Sequence, residues 1–149
     1  MGESAGGHLV NLAGARNRVG VAAVVCFYGP IDMLVFARQF EAEPPNKNMA
    51  GFFAIRAWDA AAKKVLADAS PHTWLNKRTP PFLVIHGTKD AAVPYSQAEL
   101  HVKLFRERRI PVDLYTVQDG AHGVMNWEKD PQQHGYKLHL IEWLRKILR

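Results

Sequence analysis

The sequence is poor in sulfur and in long apolar runs. Cys26 is the one cysteine among 149 residues, which excludes a disulfide framework or a cysteine-based zinc site within one chain. It lies in the run Val21-Ala-Ala-Val-Val-Cys-Phe, where a thiol is ordinarily buried and inert. No stretch reaches the roughly 18 apolar residues that a bilayer span needs, and no charged-then-apolar leader opens the chain. The seven histidines have no metal-ligand spacing such as H-E-x-x-H, so neither a metal nor a cofactor is expected. Charge of one sign is in modest excess, 19 Lys and Arg against 14 Asp and Glu. Arg106, Arg108 and Arg109 end one predicted helix, and Lys137, Arg145, Lys146 and Arg149 lie along another, with Glu107 and Glu142 interspersed. Helix ends favour such cations, so the charge implies no nucleic-acid partner and no membrane surface.

What is present is enough apolar residue for a core, 48% hydrophobic against 22% charged, and 1–149 reads as a single domain. Short strand-like runs alternate with longer helical ones, the pattern of an α/β chain whose parallel sheet is covered by helices. Ala5, Leu9, Leu12 and Ala13 recur on one face of a predicted helix over Ala5–Ala15, with Gly14, Asn17 and Gly20 as stop signals. Val21–Tyr28 reads as a buried strand. Between Pro30 and Thr79 an irregular insert holds two predicted helices, Met33–Phe40 and Trp58–Ala67, separated at Pro44-Pro-Asn-Lys-Asn. Phe36, Phe40, Phe52, Phe53 and Trp58 could wall a substrate pocket there or simply fill core. Phe82-Leu-Val-Ile-His-Gly is a second buried strand. A helix over Tyr95–Arg108 follows, with Ala98, Val102 and Phe105 on one face, and then a strand over Val112–Gln118. The last helix is predicted from Asp130-Pro131, with Tyr136, Leu140, Ile141, Leu144 and Leu148 as its apolar stripe.

Gly2-Glu3-Ser4-Ala5-Gly6 is a G-x-S-x-G sequence running into a helix. Glycines on both sides of a serine permit a strained turn that lifts the hydroxyl for attack beside a helix amino terminus. Five residues with three fixed letters arise by chance, and Ser4 could equally be a helix cap. Two further residues stand in the order that this chemistry needs. Asp90 follows the strand ending at His86, and His122 follows the strand ending near Gln118 within Asp119-Gly-Ala-His-Gly. Each alone reads as well as a turn residue.

With these motifs, and with Ala69-Ser-Pro, His86-Gly-Thr-Lys-Asp and Val93-Pro94, the chain resembles the α/β-hydrolase serine esterases, in particular the acetyl-xylan and feruloyl-type carboxylesterases. The resemblance implies a triad of Ser4, Asp90 and His122, an oxyanion donor at the Ala5 N–H and a small-molecule ester substrate. Asp32 is a rival acid, because some relatives carry the carboxylate after the first strand. His8 and His86 read as structural; His72 and Trp74 could border the pocket or equally pack a loop. Prolyl-oligopeptidase-like peptidases share the later motifs, but their elbow usually carries tyrosine where this chain has Ala5. A noncatalytic fragment or interaction module is the other alternative. The fold expected is a partial α/β-hydrolase, with the amino-terminal strands and the second oxyanion donor absent. On that expectation the strand Val21–Tyr28 has an open edge, and activity is weak or absent unless a homo-oligomer or a complementing amino-terminal segment completes the sheet.

Overall fold

The computed structural model describes residues 1–39 and 52–149. Their strands are β1 (Gly2–Glu3), β2 (Val24–Phe27), β3 (Phe82–Gly87) and β4 (Val112–Val117), paired in parallel in the order β1-β2-β3-β4. The helices are α1 (Ala5–Arg16), α2 (Met33–Arg38), α3 (Ala60–Ala69), α4 (Ser96–Glu107), α5 (Val124–Trp127) and α6 (Gly135–Ile147). Phe40 and the Pro44 break lie outside the described residues.

Parallel strands need crossovers, and the crossover helices α1 and α4 cover one sheet face while α5 and α6, after β4, cover the other. Alternation along β2 and β3 sends Val25, Phe27, Leu83 and Ile85 into a core with Trp127, Tyr136 and Trp143. Val24 and Phe82 point the other way, toward Phe105 and Ile110. A third cluster, Met33, Ala37, Ile55, Ala62 and Leu66, sits within the insert, with Trp58 packed against it. Cys26 is fully buried, and that burial pushes its thiol up to about 11.

The buried face of α1 is not the predicted one. Leu9 is 64% exposed, whereas Gly7, Asn11, Gly14 and Ala15 face the sheet. The reason is close approach: a β-carbon on Gly7 would lie 2.7 Å from the Phe27 carbonyl oxygen and 2.9 Å from the Gly29 α-carbon. Gly14 is therefore a packing residue rather than a stop, and the helix ends at Asn17, which is left-handed at φ 36°. Because both atoms facing Gly7 are backbone, Gly7→Ala is expected to destabilise the fold by about 1–3 kcal/mol in urea denaturation. A loss below about 0.5 kcal/mol, the range of ordinary surface changes, would mean that α1 does not need this contact.

Three further features also differ. Gly2–Glu3 forms a strand on Cys26 and Phe27, so β2 does not have a wholly open edge. The segment after Asp130 makes one short turn, Pro131–Gln133, capped by the Asp130 carboxylate, before α6 begins. On α6, Trp143 and Ile147 join Tyr136, Leu140 and Leu144 on the core, while Ile141 and Leu148 stay exposed. A stripe with a period of 3.6 can be drawn through either set, and the sheet selects one of them.

Candidate active site

The strand-to-helix turn between β1 and α1 holds Ser4 at φ 52° and ψ −118°, a conformation that non-glycine residues rarely adopt. The Ser4 N–H donates to the Phe27 carbonyl at 3.0 Å, and the His8 N–H donates to the Ser4 carbonyl. The strained turn is thus fixed on one side to β2 and on the other to the helix. Ala5 is the first residue of α1, so its N–H is one of those that a helix cannot satisfy internally.

Asp90 and His122 are brought to Ser4 by the turns after β3 and β4. The Asp90 carboxylate is saturated with donors. Its Oδ1 accepts from the Ala92 N–H at 2.9 Å and the Val93 N–H at 2.8 Å. Its Oδ2 lies 2.7 Å from His122 Nδ1 and 3.3 Å from His86 Nε2. Burial raises the affinity of this carboxyl for a proton, but the hydrogen bonds from His86, His122 and the backbone outweigh it and hold Asp90 below its ordinary value. A carboxylate can only accept, so His122 carries its proton on Nδ1. Nε2 is then a lone-pair acceptor, 2.9 Å from the Ser4 hydroxyl.

The other sequence candidates have different roles. Asp32 caps α2, accepting from the Leu34 and Val35 N–H groups, and its second oxygen meets His72 Nε2 at 3.1 Å. It is therefore not the acid on His122. Trp74 donates to the Asp68 carbonyl and lies under the Arg16 guanidinium. His86 does more than fill space, since its Nε2 also contacts the Val93 carbonyl at 2.8 Å and so closes the Asp90 turn. His8 donates through Nε2 to the Ala69 carbonyl at 2.7 Å, and burial holds it below the ordinary histidine value.

Beside Ser4 opens a cleft of about 200 Å³, bordered by Ala5, His8, Met33, Phe36, Phe53 and Val93 among others. Phe36, Phe52 and Phe53 of the predicted wall reach it, whereas Trp58 belongs to the insert core. Tyr28 was not legible as a site residue, although it directly follows a buried strand and precedes Gly29-Pro30. Its ring packs edge-on to His122 at 4.8 Å.

A family model, BD-FAE, matches residues 1–104. The chain belongs to the BD-FAE family. This BD-FAE chain is 30% identical over 139 residues to esterase LipC of Mycobacterium tuberculosis, a match covering 82% of the chain and 33% of LipC. It is 25% identical over 153 residues to dipeptidyl peptidase family member 6 of Caenorhabditis elegans, covering 99% of the chain and 20% of the relative. The chain thus spans a third or less of the length of these curated relatives. Among solved structures it is similar to MGS-M1, an alpha/beta hydrolase enzyme from a Medee basin deep-sea metagenome library. That TM-score is 0.64 at 23% identity, over 99% of this chain and 52% of the other. The four-stranded parallel sheet with its helices is part of an α/β-hydrolase fold.

Proposed function

We propose that this BD-FAE chain carries the reacting residues of a serine carboxylic ester hydrolase. The observation that carries the reading is the unbroken hydrogen-bonded line from Asp90 through His122 to a strained Ser4. In that reaction the Ser4 oxygen attacks the ester carbonyl while His122 Nε2 takes the hydroxyl proton. Asp90 stabilises the imidazolium that forms. The carbonyl oxygen, now negative, is met by the Ala5 N–H at the positive end of α1. Collapse of the tetrahedral intermediate breaks the bond to the alcohol oxygen, which leaves with the proton from His122. Water then enters by the same route, and the acid is released from Ser4.

The cleft is smaller than the roughly 300–1,000 Å³ usual for drug-sized ligands, which suits a short acyl group. β1 is two residues long, and a strand from a second copy or a complementing segment would extend the sheet beside the elbow. The similarity to the worm peptidase supports a second reading, amide cleavage by the same residues.

The test is intact and peptide mass spectrometry of the chain after exposure to a fluorophosphonate, beside Ser4→Ala, with hydrolysis of p-nitrophenyl acetate, p-nitrophenyl decanoate and a dipeptidyl anilide followed in parallel. A single adduct on Ser4 and preference for the acetate are expected. Preference for the anilide would favour the peptidase. A chain that takes no label, both alone and with an added complementing segment, would sink both.

A further inference from the structure

The contact between Ser4 and His122 joins residues 118 positions apart, and each sits on a turn. The His122 turn is shaped by its own neighbours: Asn126 donates to the His122 carbonyl at 2.6 Å, and the Trp127 indole N–H donates to the Ala121 carbonyl at 2.6 Å. These bonds set the form of the turn but not its distance from the elbow.

Tyr28 spans that gap. Its ring is 1% exposed, edge-on to His122 and to Trp127, the latter at 5.2 Å. Its backbone is left-handed at φ 38°, and its N–H donates to the Ile85 carbonyl at 2.9 Å, fixing the residue to β3. The hydroxyl accepts from the Val124 N–H at 3.0 Å. An amide can only donate there, so the phenolic proton goes to the Glu3 carboxylate, which it also contacts. Glu3 directly precedes Ser4, and Val124 is two residues past His122. One buried oxygen thus ties the residue before the nucleophile to the turn that carries the base.

We propose that Tyr28 is a positioning residue that sets the distance and angle between Ser4 and His122. The inference rests on the reading of Ser4, His122 and Asp90 given above. Burial, and then the hydrogen bond to Glu3, push the phenol well above its ordinary value, so the hydroxyl keeps its proton at any working pH. Removing the hydroxyl leaves the ring packing in place but frees the histidine turn to drift. A displacement of about 1 Å at a reacting pair can cost on the order of 100-fold in rate.

The experiment compares wild type with Tyr28→Phe, Glu3→Ala, Glu3→Gln and the double variant Tyr28→Phe/Glu3→Ala. Two readouts are taken on each: the rate of Ser4 labelling by a fluorophosphonate, and the downfield proton NMR signal of the His122 Nδ1–H held on Asp90. Tyr28→Phe and Glu3→Ala are each expected to slow labelling about 10-fold to 100-fold and to broaden the His122 signal, with circular dichroism unchanged. Glu3→Gln, which keeps an acceptor, should stay within about 3-fold, and the double variant should be no worse than either single one. A sharp, unshifted His122 signal in Tyr28→Phe would overturn the inference. If the wild type itself takes no label, the functional reading fails, and the NMR comparison still decides whether Tyr28 holds the histidine.

Discussion

Asp90→Asn is expected to lower the rate of acyl transfer by about 10⁴ while leaving the fold intact. The variant keeps the carbonyl oxygen on the Ala92 and Val93 N–H groups, so the turn retains its hydrogen bonds. The new amide NH₂ stands where Oδ2 was, facing His122 Nδ1 at 2.7 Å and His86 Nε2 at 3.3 Å. His86 Nε2 also contacts the Val93 carbonyl, so its proton stays on that nitrogen. His122 must then turn its bare nitrogen toward the amide and place its proton on Nε2. That proton points at the Ser4 oxygen, 2.9 Å away, and the base can no longer accept. The check is the hydrolysis rate of p-nitrophenyl acetate or the fluorophosphonate labelling rate, beside a urea melt. A loss of less than about 10-fold with unchanged stability would mean that Asp90 does not set the His122 tautomer.

His101→Leu is expected to remove most of the acid sensitivity of the fold between pH 6.5 and about 4. His101 is fully buried against the rings of Phe82 and Phe105, at 5.5 and 4.6 Å, and neither ring nitrogen has a hydrogen-bond partner. Burial, and then the nearby His86, lower its value from 6.5 to about 3. Below pH 6.5 the unfolded chain takes up this proton and the folded chain does not, so stability falls as pH falls through that window. At about 1.4 kcal/mol per unit the loss reaches on the order of 3 kcal/mol by pH 4. Leucine has no such proton and leaves no unpaired ring nitrogen, so the variant should match or exceed wild type at pH 7 and gain steadily on it in acid. His8, also lowered by burial, titrates in the same direction in both proteins. The lowered Asp32 and Asp90 matter only below their ordinary 3.8, where their stabilisation is lost on protonation. The difference between urea-denaturation series from pH 7 to 4 isolates His101, and parallel curves would contradict its assigned state.

The residues brought together at the elbow were readable because each lies in a turn with its own local chemistry: Gly2-x-Ser4-x-Gly6, the Asp90 turn and the His122 turn. The parallel sheet with its covering helices could be read from short apolar runs alternating with longer helical ones. What could not be read depends on contacts between distant segments. The buried face of α1 follows from how closely Gly7 meets Phe27, and a helical wheel ranks Leu9 above glycine. Tyr28 looks like one more strand aromatic until Glu3 and Val124 are placed on its hydroxyl. His101 sits at the position expected for a core residue of α4, one turn from Phe105, and nothing in the chain marks it as histidine left without a partner. Asp32 carried the pattern of an acid after a strand, and its helix cap and His72 account for it.

The sheet order has a bearing on how the molecule is made. Each strand pairs with the one before it in the chain, so β2, β3 and β4 can be added one at a time as they leave the ribosome, without an earlier strand being displaced. The nucleophile, by contrast, precedes β2, whereas its base follows β4. A reactive Ser4 therefore reports that β4 and the turn after it are in place.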